Sequence, residues 1–268
     1  MFSDPVSPAV ELAPRDLATE TLLSPSLEGS AQPGAQAFEM KFLLPDAVAR
    51  ELQTWAMQHL SVDAFADPAR DFSYQTTTVY LDTPAFDVLL AAPGFRTRKY
   101  RLRRYGREAL VYFERKSRRG DKVKKRRVKL PEQELAYFEQ PEPVADWSGE
   151  WFREKVVQQE RRPVCRLSYV RSAFVRSSSE GPLRLTFDRQ IRGVLTPDWA
   201  PTLLTEGRMI LPGEVICEFK FRDALPAVFK QVIADMQLQP ASVSKYRRMM
   251  QLLQSGSQEG GQNAGVVE

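Results

Sequence analysis

Residues 96–129 read RTRKYRLRRYGREALVYFERKSRRGDKVKKRRVK. These 34 residues hold 17 Lys or Arg against three acids, net +14, whereas the whole chain of 268 residues carries +4, so the remainder sums to −10. Charge and apolar character alternate along the stretch. In extended backbone, Lys99, Arg101 and Arg103 face one way, opposite Tyr100 and Leu102. Tyr112, Glu114 and Lys116 oppose Val111 and Phe113, and Lys124 and Arg126 share a face in the segment after that. Tyr105-Gly106-Arg107-Glu108 and Arg118-Arg119-Gly120-Asp121 read as turns joining antiparallel neighbours. A field this concentrated points to a phosphate-rich ligand.

The same two-faced pattern recurs outward from that stretch. Glu39 and Lys41 oppose Phe38, Met40 and Phe42. Arg184, Thr186 and Asp188 oppose Leu183, Leu185 and Phe187, and Glu214, Glu218 and Lys220 oppose Val215, Cys217, Phe219 and Phe221. Strands are expected at 38–44, 75–81, 99–104, 109–116, 123–129, 164–175, 183–188 and 214–221. Helices are expected at 45–59, 131–137, 149–159, 225–236 and 244–254, with Pro45 and Pro131 in first turns. A one-sided sheet with its charged face in water accounts for any single strand. Across the set it does less well, because like charges on adjacent strands repel unless an anion lies between them. The alternative covers the apolar faces with helices and closes the charged faces inward. Burying so many cations alone would be prohibitive, so such an interior has to hold water, anions and metal. The expected class is α+β, an antiparallel barrel or strongly curved sheet.

The rest of the chain excludes more than it suggests. No apolar run is long enough to cross a bilayer, and no basic region followed by an apolar core opens the chain, so a cytoplasmic protein is expected. His59 is the single histidine, which argues against a histidine-based triad or a two-histidine zinc site. Cys165 and Cys217 lack metal-ligand spacing and suit small buried hydrophobes. Residues 1–36, rich in Pro, Ser, Ala and Gly, and residues 255–268 are expected to be disordered tails around a folded unit at 37–254.

Seven segments occur in order: FEMKF (38–42), YRLRRYG (100–106), YFERK (112–116), YVRSAF (169–174), RLTFD (184–188), ICEFKF (216–221) and SKY (244–246). Together they resemble the VTC domain, the polyphosphate polymerase domain of the triphosphate tunnel metalloenzyme or CYTH-like superfamily, over about 38–250. The resemblance implies an eight-stranded antiparallel β tunnel with a charged interior and helices packed outside. It implies phosphate ligation and catalysis by Lys41, Arg101, Arg103, Lys116, Arg171, Arg184 and Lys245, with Ser244 assisting. Lys124 and Arg126 join the phosphate set. Glu218 is the implied metal ligand for Mn²⁺ or Mg²⁺, Glu39 and Glu114 are metal-proximal acids, and Asp188 orients a neighbouring Arg. The hydrolytic branch opens with Glu-x-Glu-x-Lys; here the first position is Ala37, which fits the polymerase-like branch. The sensor domain and membrane helices that accompany the domain in eukaryotic polymerases have no counterpart here, which leaves room for a membrane partner protein.

The expected function is a metal-dependent phosphotransferase moving the terminal phosphate of a nucleoside triphosphate such as ATP onto polyphosphate or pyrophosphate. Two alternatives stand beside it: a metal-dependent triphosphatase, and a non-catalytic polyphosphate- or RNA-binding protein. RNA binding would call for exposed stacking aromatics. Tyr100 and Phe113 fall on the core-facing side, so no nucleic acid partner is expected.

Overall fold

The computed structural model describes residues 37–259 apart from positions 96, 120, 121, 141, 179 and 180. The tail expected at 1–36 lies outside the described residues. In chain order the elements are β1 (Ala37–Pro45), α1 (Asp46–His59), β2 (Ser61–Val62), β3 (Ser73–Asp82), β4 (Arg98–Tyr105), β5 (Leu110–Arg119) and β6 (Lys122–Pro131). Then follow α2 (Glu150–Gln158), β7 (Arg162–Ser178), β8 (Gly181–Leu195), β9 (Arg208–Met209), β10 (Glu214–Arg222), α3 (Ala227–Asp235) and α4 (Lys245–Glu259). The helix expected at 131–137 is a 3₁₀ segment, Glu132–Phe138, and α4 runs past the expected end at 254.

The strands form an antiparallel, tunnel-like sheet in the order β1-β10-β8-β7-β3-β4-β5-β6, with β2 added to β7 and β9 to β8. The two end strands β1 and β6 approach each other without a ladder. Beside β1, Phe42 instead bridges Pro240, and the Ala241 amide donates to the Lys41 carbonyl at 2.7 Å. Strand β8 runs seven residues beyond the expected end at Asp188. It does so across a register shift opposite Ser168–Val170, with Gln190 at φ 51°. A bulge of this kind breaks the period-two pattern from which strand length is read.

Alternation sets the layers. Phe42, Phe187, Cys217 and Phe219 form one outer core with Ala49, Leu52 and Ala56 of α1 and Phe229 and Val232 of α3. Tyr100, Leu102, Val111 and Phe113 form another with Phe152 and Val156 of α2. Each fully buried Phe contributes about 1.5–3 kcal/mol of transfer free energy, so these faces fix which side of each strand turns outward. With the apolar faces outward and covered, Lys41, Arg101, Arg103, Glu114, Asp188 and Glu218 face inward.

One helix departs from the expected outer position. Tyr246, Met249 and Met250 of α4 pack on Tyr80, Leu167, Tyr169, Ile191 and Ile216, residues that share strand parity with the inward charges. Helix α4 therefore caps one end of the interior. Gly193 permits this approach: a Cβ there would lie 2.2 Å from Leu167 Cδ2 and 2.8 Å from Met249 Sδ. Tyr246 also donates to the buried Asp82 carboxylate at 2.5 Å, tying the helix to β3. Among the described residues no helix is long and apolar enough to cross a membrane.

Candidate functional site

The inward face is a lattice of shared charges. Glu114 on β5, with no exposed surface, accepts from Arg101 Nε at 2.7 Å and lies 2.9 Å from Lys125 Nζ and 3.9 Å from Arg103 Nη1. Asp188 on β8 takes a two-pronged grip from Arg171, Nε at 2.6 Å and Nη2 at 2.7 Å, and Lys245 Nζ at 2.5 Å. Glu218 lies 3.3 Å from Lys41 Nζ and 2.7 Å from Lys220 Nζ. Glu39 lies 3.2 Å from Lys41 Nζ and 2.9 Å from Lys116 Nζ. Arg184 pairs with Asp63 at 2.7 Å and donates to the Tyr74 hydroxyl at 3.2 Å.

With Lys99, which donates to Ser244 Oγ at 3.2 Å, ten cations named here face five carboxylates. Each acid but Asp63 is divided among two or three cations, and among the described residues the positive surplus has no counter-charge. That surplus is the physical signature of an interior built to receive anions.

The structure brings together most of the residues singled out from sequence. Lys41, Arg101, Arg103, Lys116, Arg171, Lys245, Glu39, Glu114 and Glu218 lie in this lattice, and Asp188 does orient Arg171. Arg126 does not join them. It pairs with Arg115 on the outward parity and its guanidinium lies 4.1 Å over the Trp151 ring, beside α2. Lys124 has the same ladder parity as Arg126; its side chain lies outside the described residues. The inward position belongs to Lys125, opposite Lys116. Tyr169 was also passed over. Its hydroxyl is buried without a hydrogen-bond partner among the described residues, while Arg171 and Lys245 lie over its ring at 5.4 and 4.9 Å. Its parity with Arg171 was the available signal.

No group of three His, Cys, Asp or Glu is arranged to hold a metal among the described residues. Glu39 and Glu218, however, converge on the same Lys41 ammonium. A Mg²⁺-type ion commonly takes one or two carboxylates and completes its shell with substrate phosphates and water, and this pair fits that use. Glu114 does not, because its three cationic neighbours leave no place for a fourth. His59 stacks on Trp55 at 4.7 Å on α1 and takes no part.

Burial opposes ionisation of Asp188, but Arg171 and Lys245 outweigh it and hold its carboxyl at about 2. Glu39 is likewise at about 2, burial and Glu218 being outweighed by Lys220, Lys116 and Lys41. A carboxyl depressed on folding stabilises the fold above its unfolded pKa and loses that contribution as pH falls toward its folded one. The melting temperature is therefore expected to fall steeply from about pH 4 to pH 2, with the Asp188 share absent in Asp188→Asn. Thermal unfolding monitored against pH checks this; an unchanged acid limb in the variant would contradict it.

The sequence matches the VTC domain family over residues 36–254. No curated protein matches it. Among solved structures, the chain is similar to a candidate adenylate cyclase of Bacillus halodurans, at 16% identity and TM-score 0.47, covering 79% of this chain and 95% of that one. It is similar to an adenylyl cyclase candidate of Hippeastrum whose structure is titled for a dominant triphosphatase activity, at 16% identity and TM-score 0.46, covering 82% and 96%. It is also similar to the PH1819 protein of Pyrococcus horikoshii, at 11% identity and TM-score 0.44, covering 82% and 99%. Scores below 0.5 at these identities settle nothing about this chain.

Proposed function

Because the chain belongs to the VTC domain family, we propose that it is a polyphosphate polymerase-type phosphotransferase, moving the terminal phosphate of a nucleoside triphosphate onto a polyphosphate chain. The observation that carries this reading is the cationic surplus of the covered inner face. Arg101, Arg103 and Arg171 offer guanidinium forks to phosphate oxygens, while Lys41, Lys116 and Lys245 supply compact charge. Phosphoryl transfer asks chiefly for in-line positioning and charge neutralisation, and an acceptor that is already an anionic phosphate oxygen needs no general base. A Mn²⁺ or Mg²⁺ ion held by Glu218 with Glu39 would neutralise charge on the transferred group when bound.

The carboxylates keep the guanidinium groups aimed. Asp188 fixes Arg171 by two parallel bonds, and Glu114 holds Arg101 by one bond from Nε, so both guanidiniums are oriented before substrate arrives. Since α4 caps one end of the interior, donor and acceptor would share the open part of the cavity rather than pass straight through it. Tyr100 and Phe113 are buried in the α2-side core, so these two rings offer no surface for stacking bases. Two buried free thiols, Cys165 and Cys217, suit a reducing cytoplasm.

The test is incubation of the full chain with ATP and Mn²⁺, with products resolved by gel. Long polyphosphate is the expected product. Orthophosphate alone would replace this reading with hydrolysis, and no turnover of ATP would overturn both.

A further inference from the structure

Among the described residues, one corner of the inner face has cations and no acid. Lys99 sits one pleat beyond Arg101 on β4, across the ladder from Lys116. Its ammonium donates to Ser244 Oγ at 3.2 Å. Ser244 directly precedes α4, a helix of 15 residues, and its hydroxyl lies 3.5 Å from the Arg247 amide. The Arg247 Nε is buried and has no hydrogen-bond partner among the described residues. The neighbouring cations differ in this respect: Lys41, Lys116 and Arg101 each have Glu39, Glu218 or Glu114 beside them.

The charges acting on Lys99 tell the same story. Burial first, then Lys41, Arg247, Lys116 and Arg101, lower its ammonium to about 8. A like-charged corner with unpaired donors is unfavourable until an anion enters it. The adjoining first turn of α4 adds N–H groups and the positive end of a helix dipole. Unlike Arg101 or Arg171, whose guanidiniums are already held by carboxylates, Lys99 and Arg247 have no carboxylate partner among the described residues.

We propose that Lys99, Ser244 and Arg247 form a subsite for a further phosphoryl group of a polyphosphate chain, adjoining the grip of Arg101, Arg103, Arg171 and Lys245. This rests on the polyphosphate reading of the interior, and it makes the corner the part that prefers long chains to a triphosphate. Occupancy there would lay the chain along β4 toward α4, with its end against the first turn of the helix. Neither Lys99 nor Arg247 belongs to the set expected to hold the triphosphate itself.

The test measures metal-free binding to the full chain by calorimetry, comparing inorganic tripolyphosphate with a linear polyphosphate several units longer. Lys99→Met and Arg247→Met are each expected to weaken the longer chain about tenfold or more, as loss of a charge-assisted contact does. Tripolyphosphate affinity should stay within about threefold. Melting temperatures should hold or rise, since each change relieves like-charge repulsion. Equal losses for both anions, or no loss for either, overturn the subsite while leaving the polymerase reading in place. Loss of fold in both variants marks the corner as structural and also overturns it. A wild-type chain that binds neither anion removes the polyphosphate reading and the subsite together.

Discussion

Glu218→Gln is expected to abolish turnover of a nucleoside triphosphate, by about a thousandfold or more, while leaving metal-free phosphate binding intact. Glu218 is one of two carboxylates that converge on Lys41 and could hold a divalent ion. Charge neutralisation of that kind contributes several kcal/mol to a phosphoryl transition state. The amide keeps the side chain's shape and its place opposite Thr186. It removes one negative charge from a cavity that binds anions, so metal-free affinity for tripolyphosphate should hold or rise. Steady-state kinetics with Mn²⁺ and a metal-free titration separate the two effects. Normal turnover would remove Glu218 from the chemistry, and parallel loss of binding and turnover would assign it a structural role.

The second large effect concerns stability. Glu114→Gln should destabilise the fold by about 3–5 kcal/mol, the range for stripping a buried ion cluster of its partner. It leaves Arg101, Arg103 and Lys125 on the inner face with no carboxylate among them. Saturating tripolyphosphate should then raise the melting temperature of the variant more than that of the wild type, because the ligand supplies the missing charge. Thermal unfolding with and without the anion decides the matter. A variant as stable as the wild type would mean that Glu114 is not the internal counter-ion its contacts describe.

The sequence disclosed the fold wherever a strand had one apolar and one charged face. Tyr100, Leu102, Val111 and Phe113 mark their side without ambiguity, and the opposite parity then points Arg101, Arg103 and Glu114 inward. Where both faces are charged, alternation carries no such information. Lys124 through Arg127 are four consecutive cations, and only the hairpin register decides among them. The pairing of Arg119 with Lys122 propagates to Lys116 with Lys125 and Arg115 with Arg126, which turns Lys125 inward and Arg126 outward. Counting back from the turn would have given this. The position of α4 was less accessible, since the spacing of Tyr246, Met249 and Met250 says that the helix has an apolar face. It does not say which surface of the sheet receives it.

The candidate site was legible as residue types and unreadable as pairings. Strand register brings Lys41 opposite Glu218 and Arg171 opposite Asp188, and these contacts set residues expected singly from sequence into mutually oriented pairs. Lys116 with Glu39 joins β5 to β1 across the unpaired junction, a contact that no local pattern encodes. Lys99 stood on the correct face from the start; its want of an acid emerges only once β4, β5 and α4 are set side by side.

Calorimetric titration of the metal-free full chain with inorganic tripolyphosphate tests most directly whether the cations converge on one anion. Saturable binding at one site per chain is expected. Arg103→Ala, on the inner face, should weaken it by about 1.5–3 kcal/mol, while Arg126→Ala, stacked outside on Trp151, should leave it nearly unchanged. Binding that ignores Arg103 and depends on Arg126, or no saturable binding at all, would contradict the account.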